Sequence, residues 1–481
     1  MRTITCAHLV SDADAPPARA QQITIADGLI SSVGPAPAAA VDPIVALPAL
    51  VNAHDHGRAV RSSSIGAGGK PLEAWLHYLA LFPSVDPYLA AVVALSRSAL
   101  GGVGTVMVHY TRAQGFTDLP TEATEVARAA RDVGVRVGFA VSMKDRNPLV
   151  YGPSEPVLAA LPADARQEIA RKFVRKSASP AELIALADAV AERAAGPGFD
   201  VQYGPNGPQW CSDALLEAVA DASSRTGRRV HMHLLETRYQ RAFMDQAYPD
   251  GVVRHLDAIG LLSPRLTLAH CVWARPDELA LLAERGVTIA VSNSSNLHLR
   301  SGVAPLPAML AAGCRVAMGI DGKALDEDDD GLRELRLAHL LHAGTGFRVA
   351  VGREKMLRAA FATGRFAVTN IDDGGTVAPG SPADLLLLDW AAIDDDRLRD
   401  DVDPLDLLLT RATAQHIREL IVGGRTVVKD GAMTGVDFPK ARAEVLAQMR
   451  AGMAASDSLA RAMPALDRAM AAHFEPDCPC C

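Results

Sequence analysis

Nowhere in these 481 residues do eighteen or more apolar side chains run together, and the opening MRTITCAHLVSDADAPPARA lacks the basic-then-apolar order of a secretory leader. Both absences lead us to expect a soluble, cytoplasmic protein with no membrane partner. No Lys/Arg tract stands out, and 56 acidic residues against 48 basic ones give a formal charge of −8, which argues against a nucleic-acid partner. Cysteine is scarce and odd in number, seven in all. Cys6, Cys211, Cys271 and Cys314 lie singly in apolar or mixed segments, where a free thiol behaves as a small hydrophobe, so no disulfide framework is expected. The closing CPCC (Cys478, Cys480, Cys481) could bind a soft metal or oxidise, but reads better as a frayed tail. There is no low-complexity segment, no short internal repeat and no Gly-rich phosphate turn after the first central strand.

What is present is enough apolar material for a large core: 49% of the residues are hydrophobic, and the length exceeds what one core usually serves. One large domain plus a smaller one is expected. Residues 1–48 read as short strands and turns, with a turn at Asp27-Gly28, and the same texture returns in GTVAPGSPADLLLLD and ELIVGGRTVVKDG. Residues 1–48 and 369–437 are therefore expected to build one small β-sandwich from both ends of the chain. Residues 438–481 read as a helix, from about Lys440 to Met470, followed by a tail.

Between these segments the sequence alternates. Apolar β-type runs at 103–109, 135–143, 199–204, 229–235, 266–272, 287–293 and 315–321 are separated by Ala/Leu-rich helical stretches. With the strand in LVNAHDH they make eight, the count of a (β/α)8 barrel, expected here over 49–368. An open doubly wound sheet is the alternative. In a barrel the chemistry sits at the C-terminal ends of the strands.

Those ends carry ionisable groups. His54 and His56 leave one strand two residues apart, hence on one face. His233 and then Glu236 end the fifth strand, His270 the sixth and Asp321 the eighth. Singly, His270 could be a core histidine, Asp321 a helix N-cap and Glu236 a solvated helix start. Together, three imidazoles and a carboxylate make an N/O site for zinc or iron with room for water.

The segments PALVNAHDH, GPNGPQWCSDALLEA, HLLET, GLLSPRLTLAHCV, VSNSSNLHLRSG, GIDG and GSPADLLLLD occur in that order from about residue 45 to 425. As a set they resemble the amidohydrolase superfamily, in the branch of cytosine and guanine deaminases, methylthioadenosine/S-adenosylhomocysteine deaminase and the triazine hydrolases. The resemblance implies one divalent metal, zinc or else iron, on His54, His56, His233 and Asp321. It implies Glu236 as proton shuttle, His270 as the group beside the attacking water or developing oxyanion, and Asp321 as both ligand and base. Binuclear relatives need a Lys at the end of strand four, and FDVQYGPNGPQW has none. Bound metal lowers the pKa of its water from about 15.7 towards 7. Hydroxide attack on an sp2 carbon, with Glu236 protonating the neighbouring ring nitrogen, would then expel ammonia or an amine.

The residues beyond the strand ends bear on the substrate. Arg58 could hold a carboxylate or oxo group or form a structural ion pair, and His109 could touch substrate or simply pack. Asn206 stands where many relatives that are deaminases carry histidine, and Trp210 could stack on a planar ring. Asn293 and Asn296 follow strand seven, where the related motif shapes the pocket; His298 reads as structural. His231, one layer below His233, reads as a barrel histidine. The run DEDDD (326–330) could attract a cationic substrate, though such runs are usually solvated loops. The expected activity is hydrolytic deamination of a small amino-substituted purine, pyrimidine, pterin or triazine-like ring. Hydrolysis of an amide, urea or cyclic imide is the alternative on the same scaffold, and a metal-free binding barrel the alternative of another class. A homodimer is the base-rate expectation for assembly.

Overall fold

The first and last strands of the chain meet in one sheet. We describe a computed structural model over residues 1–37, 40–323 and 325–475; Cys478, Cys480 and Cys481 lie outside the described residues. Four strands open the chain: β1 (Arg2–Leu9), β2 (Ala18–Ala26), β3 (Leu29–Pro35) and β4 (Ile44–Pro48). Eight follow in the middle: β5 (Leu50–Asp55), β6 (Val103–Tyr110), β7 (Arg136–Met143), β8 (Phe199–Pro205), β9 (Val230–Leu234), β10 (Leu266–His270), β11 (Thr288–Val291) and β12 (Arg315–Met318). Four come late: β13 (Leu385–Asp389), β14 (Ile417–Val422), β15 (Arg425–Lys429) and β16 (Ala432–Met433).

The early and late strands form a single sheet in the order β16-β15-β14-β13-β4-β1-β2-β3, joined where β4 pairs antiparallel with β13. The sheet folds over on itself into a sandwich. Arg2 on β1 reaches Glu419 on β14 with two guanidinium–carboxylate bonds, although two strands separate them in the sheet. Ile4, Ile23, Ile30, Leu385, Leu387 and Ile421 fill the interior. The β2–β3 turn at Asp27-Gly28 has φ of 52° and 78°, the positive values a two-residue hairpin turn demands, and a Cβ at Gly28 would lie 3.0 Å from the carbonyl oxygen of Gly423. The two hairpin turns thus touch through glycine.

The middle strands run parallel, β5 to β12, each paired with its sequence neighbour. Both faces of such a sheet are covered, which is why β6 (VGTVMVHY) and β8 (FDVQYGP) are almost continuously buried and rich in β-branched or aromatic residues. The cylinder closes at its upper rim: the backbone N–H of Asp321, just past β12, donates to the His54 carbonyl at 2.9 Å, and that of Ile320 to Asn52 Oδ1 at 2.8 Å. The helices between strands start on polar caps, Asp118, Ser179, Ser212 and Thr237, each accepting a backbone N–H of the first turn.

The tail departs from the single helix expected for it. Two helices, Phe438–Gly452 and Asp457–Phe474, are separated by a 3-10 turn at Met453–Ser456. Gly452 is a poor helix former, and Asp457 favours a fresh helix N-terminus. The second of these helices packs against Leu72–Tyr78 and Ala163–Phe173 through Trp75, Tyr78, Ile169, Leu459, Met463 and Leu466, a separate apolar cluster that roofs the barrel mouth.

Candidate active site

The alternation along β5 sends His54 and His56 to one side and Asp55 to the other. Asp55 ties the rim together: Oδ1 accepts the N–H groups of His56 (2.7 Å) and Gly57 (2.9 Å), and Oδ2 those of Asn52 Nδ2 and Gly322 N, both at 2.8 Å. First strand and last strand are thus locked at the level of the imidazoles. His54 lies with its ring centroid 5.1 Å from His56, 4.8 Å from His233 and 5.0 Å from His270.

The tautomers are set from behind. His56 Nδ1 donates to the carbonyl of His109 and His233 Nδ1 to that of Asn206, each at 2.8 Å. Their Nε2 atoms, left with lone pairs, face each other at 3.4 Å. Asp321 Oδ1 lies 3.3 Å from His56 Nε2 and 3.7 Å from His54 Nε2, while its Oδ2 accepts the hydroxyl of Ser295 at 2.6 Å. Both His54 ring nitrogens and Asp321 Oδ1 are buried without a hydrogen-bond partner among the described residues. Burial, and then the charge of neighbouring histidines and Arg58, holds His54, His56 and His233 well below the usual histidine pKa, so the imidazoles are neutral. Neutral nitrogen lone pairs and an unpartnered carboxylate oxygen converging on one point fit a divalent cation. His54 with His233 and His270, and His54 with His56 and Asp321, are the two groupings close enough to hold one.

Beside this point stand the proton-moving candidates. Glu236, 2% exposed, has its carboxyl pushed well above the usual range by burial, then by Asp321 and Glu73, a shift that favours its protonated form. Ser301 Oγ lies 3.3 Å from Glu236 Oε1, and His270 Nε2 lies 3.7 Å from Oε2. His270 Nδ1 is held by Asn296 Oδ1 at 3.0 Å. The backbone at His270 (φ 73°) and Asp321 (φ 58°) is left-handed, a strained conformation for these side chains that the surrounding rim over-determines.

A cavity of about 400 Å3 opens over this cluster, reached by His56, Arg58, Asn206, Trp210, His233, Glu236, His270 and Asp321. Arg58 donates to the Asp321 carbonyl at 3.0 Å and lies over the Trp75 ring at 4.7 Å. Trp210 stands edge-on to Tyr151 at 5.8 Å. His109 and Asn296 stand behind the wall: His109 is spent on His231 (3.0 Å) and Asn206 Oδ1 (3.1 Å), while Asn296 gives its Oδ1 to His270 and keeps a buried Nδ2 with no hydrogen-bond partner among the described residues. His231 stacks under His54 at 5.0 Å, and Asn293 pairs with His342 at 2.7 Å. His298 Nε2 meets the Leu325 carbonyl at 3.1 Å.

The acidic run is not an open surface. Glu327 takes Lys323 Nζ at 2.9 Å and Ser62 Oγ at 2.8 Å, Asp329 pairs with Arg97 at 3.4 Å, and Asp330 caps the helix Gly331–His342. Its charge is consumed in holding that loop to the rim. Sequence reasoning also passed over Ser295, Ser301, Glu73 and Trp75. The two serines lie inside VSNSSNLHLRSG, a stretch read only for its asparagines and histidine; nothing in the spacing of Glu73 or Trp75 pointed to the cavity.

The amidohydrolase family profile matches residues 45–452. The chain belongs to the amidohydrolase family. It is 29% identical over 449 residues to the 5-methylthioadenosine/S-adenosylhomocysteine deaminase of Pelotomaculum thermopropionicum, covering 89% of this chain and 93% of that protein. Among solved structures it shares its fold with an adenosine deaminase from Xanthomonas campestris with bound zinc (TM-score 0.77, 23% identity, 94% of this chain and 98% of the other). It also shares it with a mutant atrazine chlorohydrolase from Arthrobacter aurescens, complexed with zinc and atraton (TM-score 0.77, 22% identity, 93% and 100%). Within the family's barrel, no described helix is long and apolar enough to cross a membrane.

Proposed function

We propose that this amidohydrolase hydrolytically deaminates an amino-substituted nitrogen heterocycle, using a single divalent cation, zinc, held by His54, His56, His233 and Asp321. The observation that carries the reading is the convergence of lone pairs without hydrogen-bond partners on His54 and Asp321 and freed Nε2 lone pairs on His56 and His233, beside the buried carboxyl of Glu236. FDVQYGP, the whole of β8, contains no lysine to bridge a second ion. Bound there, a divalent cation would supply Lewis acidity that brings the pKa of water from about 15.7 to about 7.

The chain's own groups then divide the proton traffic. Asp321, fixed through Oδ2 by Ser295, accepts the proton of the attacking water at Oδ1. Glu236 delivers its proton to the ring nitrogen next to the attacked sp2 carbon, and its position against Ser301 and His270 keeps that proton inside the site. His270, oriented by Asn296, faces the oxygen that becomes the product carbonyl. The C–N bond breaks as the amino group takes the water-derived proton from Asp321 and leaves as ammonia, while the remaining hydroxyl proton returns to Glu236 as the product carbonyl forms. The reading includes a cytoplasmic setting and a homodimeric assembly, in keeping with the acidic balance of the chain and the base rate for soluble enzymes.

The test is ammonia release from aminopurines, aminopyrimidines, pterins and aminotriazines, together with metal analysis before and after chelation. About one equivalent of zinc and chelator-sensitive ammonia release support the reading. A fully loaded protein that releases no ammonia but cleaves an amide, urea or imide overturns it in favour of the alternative, and a protein without metal whose properties chelation leaves unchanged overturns both.

A further inference from the structure

The cavity has two chemically different ends. Its inner end carries Glu236 and Asp321; its outer wall carries Lys144, just past β7, Lys172 in the last turn of the helix Ala163–Phe173, and Arg112 just past β6. Among the described residues neither lysine makes a hydrogen bond or ion pair with a carboxylate. Arg112 donates only to the backbone carbonyls of Phe82 and Pro83. Glu122, the acid that acts on Arg112, is already engaged by Tyr110 Oη (2.5 Å) and by the N–H groups of Gln114 (2.6 Å) and Gly115 (3.0 Å).

The three cations belong to one neighbourhood. Lys144 acts electrostatically on His77, whose ring stands edge-on to Phe173 at 5.0 Å; Phe173 follows Lys172, and Lys172 in turn feels Arg112. His77 itself is neutral, held at about 4 by burial, and its Nδ1 is spent on the Glu73 carbonyl at 2.9 Å. Other buried cations are held tightly: Arg241 has Glu278, Arg365 has Asp373 and Asp384, Lys323 has Glu327, and Arg229 is held by the Ala367 carbonyl, Asn370 and Thr267. Lys144 is exposed where it lines the cavity and Lys172 is half-buried, so both ammonium groups stay open to a ligand, and an anion arriving there meets cations that no carboxylate has already paired.

We infer that the substrate is an amino-heterocycle bearing a small anionic group, a carboxylate or phosphate, on a substituent that reaches Lys144, with Lys172 and Arg112 adding to the field behind it. The inference rests on the aminohydrolase reading for the ring end. Leu72, Trp75, Leu76 and Leu149 line the same cavity with apolar surface suited to a ring and a short linker.

The experiment uses the zinc-loaded protein and matched probes: adenine, guanine, cytosine and melamine, each carrying a propyl substituent that ends in carboxylate, phosphonate or carboxamide. Calorimetric binding and ammonia release are read separately. On the best ring the anion should bind about tenfold or more tighter than the carboxamide, with carboxylate against phosphonate showing which anion the wall prefers. Lys144→Met should erase most of that advantage while leaving the carboxamide unchanged; Lys144→Arg should keep it, and Lys172→Met should reduce it. Equal binding of anion and amide, an advantage that survives both methionine variants, or no binding of any anionic probe overturns the inference. Anion preference without ammonia release leaves the inference standing and sinks the aminohydrolase reading; ammonia released equally from acid and amide does the reverse.

Discussion

Ser295 donates its hydroxyl to Asp321 Oδ2 at 2.6 Å, and so decides which carboxylate oxygen faces the imidazoles. Asp321 Oδ1 then faces His56 Nε2 at 3.3 Å, with Arg58 Nη1 at 3.5 Å. Replacing Ser295 by alanine should let the carboxylate rotate and weaken metal affinity by about 10- to 100-fold. Chelator competition on the purified variant measures this directly; affinity equal to that of the parent would show that the hydroxyl does not orient the ligand.

Glu334 acts one step further back. From the helix Gly331–His342 its Oε1 accepts the N–H groups of Asn293 (2.7 Å) and Ser294 (3.2 Å), pinning the turn whose next two residues orient Asp321 and His270. Glu334→Ala orphans buried donors and should cost on the order of 3 kcal/mol of stability, with kcat falling as well. Glu334→Gln keeps an acceptor and should recover most of the melting temperature. If both variants melt and turn over like the parent, the clamp has no role.

Glu236→Gln preserves shape and removes the transferable proton. Turnover should fall by about 10²- to 10⁴-fold with metal content unchanged. Loss of metal instead would recast Glu236 as part of the ligand set.

Acid sensitivity should centre on the loop after β12. Burial alone would raise the Glu327 carboxyl, but the Lys323 ammonium, the Ser63 N–H and the Ser62 hydroxyl outweigh it and hold the group at about 2. A depressed folded-state pKa gives stability that is complete above the ordinary glutamate value and drains away as pH falls from there through about 2. Melting curves from pH 7 down to 3 should therefore show a steeper acid decline for the parent than for Glu327→Gln. Parallel declines would mean that the pairing contributes nothing.

The barrel was legible because its signal is local and repeated. Each strand is an apolar run, each helix an amphipathic stretch, and the histidines fall at strand ends that a barrel must bring together. What was illegible depends on loops meeting across the chain. Ser295 reads as helix-start chemistry until Asp321 is seen beside it, and DEDDD reads as a solvated run until Lys323, Ser62 and Arg97 are found around it. Lys144 and Lys172 sit on different connections, and only the fold brings them to the lining of one cavity. The break at Gly452 was visible as a weak helix former, yet apolar spacing on either side masked it.

The seam between β4 and β13 has a cost during synthesis. The opening strands leave the ribosome with β4 unpaired along one edge, and the strand that completes it is made only after the entire barrel. Until then that edge is open to a neighbouring nascent chain. Faster completion of the chain, or fewer nascent chains nearby, should favour the intramolecular partner, and yield of dispersed protein should fall as the delay between the two strands lengthens.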